Sequence, residues 1–572
     1  MSEFSLRAGP LNLLYQNGFI RYVSRGQDEI LRMIYFALRD ENWGTYAPII
    51  ENEVIENHKD HFLIQHDCFH ELHGKRIFHW KTCITGDQQG QINFAIKGVA
   101  LEDVKKNRAG LCILHPIKGV AGVECETFHV EGKSNFNHFP VFVSPHNPFK
   151  DLEGMRWKSF GTWWSLHFEG DVFETEDQRN WTDASFKTFC TPLQKLFPVQ
   201  LLKGDQVSQK VVFHSETRPD HVDSASKLIT ITATMEESKL VPIGIGASAE
   251  TDALSANAIT LLRKLSLSHY RVEVHFDTDD WVSKFSANCA NASMLSLPLE
   301  AAVHLTEKFE KELGKLIALI LQNNVRLKYL ILFSKGKLVT NQSIVDYADK
   351  VKEQLPFAMI GAGTDYNFAE LNRNRFQQNP IDFISFSINP QEHACDNLTL
   401  TENIEAQMEV VRSAQAIYPN KPIHISPLTL KRRFNPYATD SAAISLPNDQ
   451  KSDARQIKSF GAAFMLGSIK ILSQAQAGSL TLFQAIGAQG LLSIEDEVYP
   501  NYLILKEILS ENHKILHTTS TNPLHADALL LKGQHAKKLF LFNYTEAKQN
   551  VLFEGSHYEL MPHEIKVIKD FR

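Results

Sequence analysis

The chain has 572 residues, of which 43% are hydrophobic and 22% charged, and its formal net charge is −7 at pH 7. This length exceeds what one hydrophobic core usually organises, so several folded domains are expected and long disordered stretches are not. The mildly acidic chain offers no basic footprint for nucleic acid, and the absence of about 18 consecutive apolar residues argues against a membrane span.

The N-terminal part of the chain is predicted to be rich in β-structure. Its first residues do not combine a basic stretch with an apolar one, so no secretion signal is expected and the predicted location is the cytoplasm. Short apolar or alternating runs follow, such as 19–23, 91–96 and 210–214, separated by turn-forming stretches such as 85–90. The pattern predicts an antiparallel β-sandwich as an N-terminal domain over residues 1–235.

From residue 236 the pattern changes to apolar runs of strand length that alternate with helical stretches. The stretch 307–324, for example, carries its apolar residues on one stripe of a helix. Eight such units in about 250 residues predict a (β/α)₈ barrel, or TIM barrel, over residues 236–504. The alternative is an open doubly wound sheet, although no glycine-rich phosphate loop follows the first strand. The predicted strands are 240–245, 270–276, 294–299, 327–333, 357–361, 382–387, 422–425 and 479–483.

The last segment returns to β character. The runs 528–531, 538–542 and 549–553 have the composition of strands. They predict a small C-terminal β domain over residues 505–572. The predicted fold class is therefore multidomain, with a central α/β barrel flanked by two β domains.

Active-site residues of TIM barrels lie just after the strands, at their C-terminal ends. The segment 361–375 follows strand five and is dense in groups that bind hydroxyls and carbonyls. Within it, Glu370 is the candidate catalytic acid or base, and an ion pair with Arg373 or Arg375 is the structural alternative. The candidate substrate-binding residues of this segment are Asp365, Asn367, Asn372 and Arg373.

Three more loops supply candidates. After strand six, His393 is a candidate proton shuttle or oxyanion donor whose tautomer Asp396 would fix, and a histidine capped locally in its loop is the alternative. Glu300, placed after strand three, is a candidate second catalytic carboxylate, or else begins the next loop. After strand seven, a basic loop bounded by prolines at 427 and 436 contributes Arg433 as a candidate for binding substrate oxygens.

The segment 170–187 of the N-terminal domain concentrates polar residues of both signs around a tryptophan. A sugar-binding edge has this composition, and so has an internal ion-pair network. The candidate substrate-binding residues here are Asp177, Arg179, Asn180 and Trp181. No CxxC, HExxH, GxSxG or phosphate-loop motif occurs in the chain, so the sequence predicts no metal and no cofactor.

Several blocks, spread over nearly the whole chain, resemble the D-apionate lactonase family. They lie at residues 8–15, 39–45, 107–116, 144–149, 176–183, 363–373 and 426–436. The resemblance implies a glycosidase-like barrel between β domains and the hydrolysis of D-apionolactone to D-apionate in apiose catabolism. It also implies a glutamate after strand eight, where this chain has Gln484, which forms hydrogen bonds but cannot exchange protons.

The leading hypothesis is a carboxylic ester hydrolase that opens a small sugar lactone. In this hypothesis Glu370 activates water, and His393 with Asn372 or Arg373 stabilises the oxyanion or protonates the leaving oxygen. A glycoside hydrolase that pairs Glu370 with Glu300 is the second hypothesis. The third hypothesis, suggested by Gln484, is a carbohydrate-binding protein without catalytic activity.

Overall fold

The computed structural model describes residues 3–216, 228–437, 446–511, 513–534 and 536–571. The described residues form two compact units. The first holds residues 3–179 and 184–216, and the second holds residues 180–183 and 228–571. Four residues therefore belong to the second unit although the chain on both sides of them belongs to the first.

An antiparallel sheet dominates the first unit. The strands of this unit are β1 (Glu3–Ala8), β2 (Leu11–Gln16), β3 (Phe19–Arg25), β4 (Asp28–Arg39), β5 (Ile49–Asn57), β6 (Phe62–Leu72), β7 (Lys75–Gly86), β8 (Ile92–Ala100), β9 (Val104–Lys106), β10 (Arg108–Pro116), β11 (Glu124–His129), β12 (Ser134–His138), β13 (Phe149–Ser159), β14 (Thr162–Glu169), β15 (Phe173–Asp177), β16 (Ser185–Phe189), β17 (Val199–Leu201) and β18 (Gln206–Ser215). Among the described residues, sixteen of them join one sheet, and β9 pairs with β17 separately.

The large sheet folds back on itself into two layers. Tyr15 on β2 hydrogen-bonds His66 on β6 at 3.2 Å, and the ring of Phe36 on β4 packs 4.6 Å from that of Trp80 on β7. The inward-facing side chains of both layers form an extensive apolar core, as two sheets packed face to face require. The predicted antiparallel β-sandwich is confirmed.

The second unit contains parallel strands, helices and a further sheet. Its strands are β19 (Leu228–Lys239), β20 (Ile243–Gly246), β21 (Tyr270–His275), β22 (Leu299–Leu305), β23 (Leu327–Ser334), β24 (Met359–Gly363), β25 (Phe383–Ile388), β26 (Ile423–Leu428), β27 (Ser479–Ile486), β28 (Gly490–Leu492), β29 (Lys514–Ser520), β30 (Ala526–Lys532), β31 (Lys537–Asn543), β32 (Gln549–Phe553), β33 (Ser556–Leu560) and β34 (Ile565–Phe571). Its helices are α1 (Ala256–Leu262), α2 (Trp281–Leu295), α3 (Phe309–Gln322), α4 (Gln342–Asp346), α5 (Ala348–Gln354), α6 (Phe368–Arg373), α7 (Asn397–Ile417), α8 (Asn448–Lys451), α9 (Ser459–Gln474) and α10 (Pro500–Ile508).

Strands β20 to β27 close into a barrel. Each pairs in parallel with the next, and β27 pairs with β20 in parallel, with Ile243 opposite Leu480. Helices connect the strands, so both faces of each strand are covered, and β25 is buried at every residue. Helix α3 buries the predicted stripe, including Leu313, Leu316 and Ile320. The predicted (β/α)₈ barrel is confirmed, and the open-sheet alternative is wrong.

The prediction of the third strand at residues 294–299 is wrong, because this segment covers the end of a helix and the turn that precedes the strand. Met294 and Leu295 end helix α2, and the strand β22 begins only at Leu299. The error has two causes. A helix that packs on a barrel carries apolar residues, as a strand does. Strand β22 itself contains two buried polar residues, Glu300 and His304, which interrupt its apolar pattern. As a consequence, Glu300 lies on the strand near its N-terminal end and not in the loop that follows it.

A mixed sheet completes the second unit. In the described part of the chain it has seven strands in the order β33-β32-β19-β29-β30-β31-β34. Strand β19 thus joins a sheet made otherwise of the last strands of the chain, although it precedes the barrel. Helix α9 packs on this sheet, where the Lys470 ammonium binds the carboxylate of Asp527 at 2.6 Å. The predicted domain limits at residues 235 and 504 stay predictions.

None of the helices in the described residues has the length and apolar character needed to cross a membrane.

Candidate active site

The loop after β24 carries the candidate residues of the predicted strand-five segment. Strand β24 ends at Gly363, where an added Cβ would lie 1.9 Å from the backbone oxygen of Ser385 on β25. Only glycine allows the two strands to approach so closely before the chain turns. Helix α6 follows and places Glu370 in its first turn.

Glu370 is fully buried. Its Oε1 accepts a hydrogen bond of 2.8 Å from the Tyr437 hydroxyl, while its Oε2 has no hydrogen-bond partner among the described residues. Burial raises the pKa of Glu370 from 4.5 to about 7, although the hydrogen bond from Tyr437 lowers it in part. A buried carboxyl with one free oxygen and such a pKa is able to take up and release a proton near neutral pH.

Amide groups surround the start of α6. Asn367 donates a hydrogen bond to Glu392 Oε1 at 2.8 Å, and Asn389 donates to Asn367 Oδ1 at 3.0 Å. The carboxylate of Glu392 also contributes to the raised pKa of Glu370. The predicted residue Asn367 therefore lies in a polar network that links the loops after β24 and β25.

His393, in the loop after β25, is oriented by Asp183. Its Nδ1 lies 2.6 Å from Asp183 Oδ2, and the Trp181 ring meets the imidazole edge to face at 5.5 Å. Because a carboxylate only accepts hydrogen bonds, Nδ1 carries the proton and Nε2 is left for other partners. The prediction that Asp396 would fix this tautomer is wrong, since Asp396 caps helix α7 through the backbone nitrogen of Thr399.

Residues 180–183 pack against helix α6 within the second unit. Asn372 donates a hydrogen bond to Asn180 Oδ1 at 3.0 Å. The guanidinium of Arg373 lies 4.7 Å from the centre of the Trp181 ring, a cation–π contact. Four of the predicted site residues are thus brought together at this end of the barrel.

Asp177 and Arg179 have a different environment, in the first unit. Both are fully buried, and the Arg179 guanidinium binds the two carboxylate oxygens of Asp177 at 2.9 and 2.8 Å. The guanidinium also donates to the backbone oxygens of Pro140 and Val141, each at 2.9 Å. These contacts hold a surface segment of the first unit, and substrate binding by Asp177 and Arg179 stays a prediction.

Replacing Arg179 by lysine is expected to lower the free energy of unfolding by about 1.5–3 kcal/mol, because lysine keeps the charge but loses the two-pronged hydrogen bonding. Chemical denaturation followed by tryptophan fluorescence measures the loss, and Arg263→Lys, on the surface of the second unit, is the matched control. Turnover of the folded variant equal to that of the wild type would leave Arg179 with a structural role only. Unchanged stability with impaired turnover would instead assign Arg179 to substrate binding.

A second polar cluster gathers where β21 and β22 end. The Arg433 guanidinium binds Glu273 Oε1 at 2.6 Å and also contacts Asp365 Oδ1. Arg271 binds Glu273 at 2.7 Å and Asp365 at 3.3 Å. The imidazoles of His275 and His304 stack beside these groups, with ring centroids 4.2 Å apart. Two predicted residues, Asp365 and Arg433, meet in this cluster.

Glu300 lies inside the barrel. Its Oε1 accepts hydrogen bonds from Ser426 at 2.6 Å and from Thr481 at 2.8 Å. Burial raises the pKa of Glu300, but the nearby His269 and Arg271 outweigh it and hold the pKa below its ordinary value. These contacts make Glu300 a stable interior anion, and its catalytic role stays a prediction.

Gln484 has a local partner. It lies near the end of β27, and its side-chain oxygen accepts a hydrogen bond of 2.9 Å from the backbone nitrogen of Ala249, in the loop after β20. The position that the family resemblance associates with glutamate therefore joins β27 to the loop after β20 through an amide.

Some residues of these clusters escaped the sequence-based prediction. Arg271, Glu273 and His275 occupy alternate positions of β21 and so face one side of the strand. That alternation is a usable pattern, because polar residues on one face of a barrel strand mark either the interior or the mouth. Tyr437 follows the predicted basic loop by one residue and has no sequence feature that marks it.

The comparisons with known proteins agree with one another. A family model described as "D-apionate lactonase, N-terminal domain" matches residues 2–218, and one described as "D-apionate lactonase, TIM barrel domain" matches residues 243–513. A D-apionate lactonase of Brucella anthropi is 29% identical over 516 residues, covering 86% of this chain and 84% of the relative.

Similar solved structures include a family 30 endoxylanase from Clostridium papyrosolvens, at 11% identity, 59% of this chain, 98% of that chain and a TM-score of 0.38. A family 51 α-L-arabinofuranosidase from Bifidobacterium longum has 7% identity and a TM-score of 0.40, over 60% of this chain and 95% of that one.

Proposed function

Since the chain belongs to the D-apionate lactonase family, we propose that it hydrolyses a sugar-derived lactone, D-apionolactone, to the open-chain acid D-apionate. The observation that carries this proposal is Glu370, whose buried carboxyl has a free Oε2 and a pKa of about 7 at the mouth of the barrel. Opening a lactone requires a base that deprotonates water near neutral pH, and the pKa of this group matches that task. The reaction class is that of a carboxylic ester hydrolase.

Glu370 acts as the base in this mechanism. Its Oε2 takes a proton from water as the water oxygen bonds to the carbonyl carbon of the lactone. The carbonyl oxygen becomes a tetrahedral oxyanion, which then collapses and breaks the ring C–O bond. The leaving alkoxide takes up a proton, so that one lactone and one water give one hydroxy acid. The Tyr437 hydroxyl, at 2.8 Å from Oε1, keeps the carboxyl oriented throughout.

His393 is the proposed proton donor to the leaving oxygen. With Nδ1 held by Asp183 at 2.6 Å, proton exchange takes place at Nε2. The imidazolium form donates from Nε2 to the developing oxyanion or to the alkoxide. Because Asp183 is itself only 4% exposed, the pair keeps one orientation, as catalysis by a positioned group requires.

The substrate hydroxyls are assigned to the polar groups around these two residues. Asn367 and Asn372 lie on either side of Glu370 in sequence, while Arg373 and Trp181 form one stacked wall. Asp365, Asn180, Arg433 and Gln484 complete the proposed set, each held by a hydrogen bond to a neighbouring loop or helix. Preorganised groups of this kind bind a small polyhydroxylated ring without reordering side chains.

The test is acid release from D-apionolactone by the full chain, followed at constant pH by base uptake. One equivalent of acid per lactone, well above the spontaneous rate, is expected, with much slower opening of γ-butyrolactone, which lacks the hydroxyls. An aryl glycoside offered under the same conditions should release no phenol. Phenol release would support the glycoside hydrolase hypothesis, and binding of the lactone without acid release would support the carbohydrate-binding one.

A further inference from the structure

Three donor side chains converge where the second and third barrel strands end. Glu273 and His275 lie on β21 and His304 lies on β22, and one donor atom of each falls within 4.8 Å of the other two. The loop after β24 brings the carboxylate of Asp365 to the same place. Two imidazoles and two carboxylates are a donor set typical of first-row transition metals.

Two atoms of this group lack the partners that buried polar atoms need. Within the described residues, neither His304 Nε2 nor Asp365 Oδ2 has a hydrogen bond, yet the residues are only 9% and 6% exposed. They lie 3.6 Å apart. Leaving either atom without a partner costs about 1–3 kcal/mol, and one cation between them would satisfy both.

The spacing of the donors suits a metal ion. Ligand atoms bonded at about 2.1 Å in a tetrahedron lie roughly 3.4 Å from one another. The distance from His304 Nε2 to Asp365 Oδ2 is 3.6 Å, and that from His275 Nε2 to Glu273 Oε2 is 3.3 Å. Both separations are close to the tetrahedral value. A donor atom of the half-exposed His275 already lies within 4.8 Å of the donor atoms of Glu273 and His304.

The two arginines occupy the other side of each carboxylate. Arg433 and Arg271 bind Glu273 through Oε1 and Asp365 through Oδ1. The remaining oxygens, Glu273 Oε2 and Asp365 Oδ2, face the imidazoles. Outer groups that hold one oxygen of a carboxylate while the other ligates are usual around metal ions. The arginines therefore orient the carboxylates and are compatible with a cation.

We propose that Glu273, His275, His304 and Asp365 bind one divalent first-row transition-metal ion at the mouth of the barrel. The proposal departs from the sequence-based expectation of no metal. It rests on the geometry of these four side chains and not on the proposed lactonase activity. An ion here would add a Lewis acid to the mouth of the barrel.

The test is titration of the metal-free full chain with Zn²⁺ by calorimetry, without substrate. One Zn²⁺ per chain is expected for the wild type. His275→Ala and Glu273→Gln should each weaken binding by about 10–100-fold, the range found when even an outer partner of a metal ligand is lost. His138→Ala, an exposed histidine of the first unit, is the matched control and should bind Zn²⁺ as the wild type does.

Co²⁺ absorption provides the second readout. Visible bands of tetrahedral intensity should appear in the wild type and in His138→Ala, and should be lost in His275→Ala. A wild-type chain that binds no Zn²⁺, or a His275→Ala variant that binds as tightly as His138→Ala, would overturn the proposal. Because no lactone is present, these outcomes are independent of whether the protein hydrolyses one.

Discussion

Replacing Glu370 by glutamine is expected to lower kcat for lactone opening by about 10²–10⁴-fold, the usual contribution of a general base. Glutamine has the shape of glutamate, and its amide oxygen still accepts the hydrogen bond from Tyr437. The variant should therefore bind the lactone normally but fail to deprotonate water. Initial rates over a range of lactone concentrations separate kcat from KM. Glu353→Gln, on the exposed face of α5, is the control and should be fully active.

The pH dependence provides an independent check on Glu370. Since the base must be ionised, kcat/KM of the wild type should rise as the pH increases through about 7. Stability should move the other way. The folded pKa lies above the unfolded one, so the ionised form is disfavoured in the fold and stability falls as the pH rises from about 4.5 through about 7. Glu370→Gln should remove that fall, and a variant retaining more than a tenth of the wild-type rate would exclude Glu370 as the base.

Replacing Asp183 by asparagine should lower kcat by about 10²–10⁴-fold, with the largest losses if the wrong imidazole tautomer is held. Asparagine lacks the negative charge that stabilises the imidazolium, and its amide is able to donate to Nδ1, which leaves a neutral ring that cannot readily give up its Nε2 proton. KM should change little, because Asp183 is buried behind the imidazole. A purely structural role would instead lower stability and leave the kcat of the folded fraction intact.

Two further variants sharpen this prediction. Asp183→Glu keeps a carboxylate near Nδ1 and should recover part of the lost activity, which a tautomer effect requires and a packing effect does not. Asp349→Asn makes the same chemical change at an exposed position of α5 and should leave kcat unchanged. Equal activity of Asp183→Asn and Asp349→Asn would remove the Asp183–His393 pair from the mechanism.

Periodicity predicted the barrel because parallel strands buried on both faces and helices with one apolar stripe leave distinct patterns. It failed at β22, where Glu300 and His304 interrupt the apolar run that marks a strand. Polar groups inside a barrel satisfy one another across strands, as Glu300 does with Ser426 and Thr481. No local pattern reveals such partners, which are more than 100 residues apart in the chain.

In the candidate site too, local sequence features predicted some residues but not the distant residues that contact them. Glu370, Asn367 and Asp365 were predictable, because one loop after a strand of the barrel collects them. The partners that give these residues their properties were not, since Tyr437 and Asp183 reach Glu370 and His393 from 67 and 210 residues away. The sequence indicates which loops carry the candidate side chains. The pKa of Glu370 and the tautomer of His393, however, depend on contacts that form only in the folded protein.

Strand β19 is synthesised long before the strands with which it pairs. It lies between β29 and β32 in the last sheet, and the backbone nitrogen of its residue Thr230 donates a hydrogen bond to the hydroxyl of Thr521, 291 residues further along the chain. At about 5–20 residues per second on the ribosome, roughly 15–60 s pass between the emergence of the strand and that of its partner. During that time Ile229 and Ile231, both buried in the finished sheet, are exposed on an unpaired edge. Nascent chains halted before residue 514 should therefore recruit chaperones or aggregate even when the barrel strands are already complete.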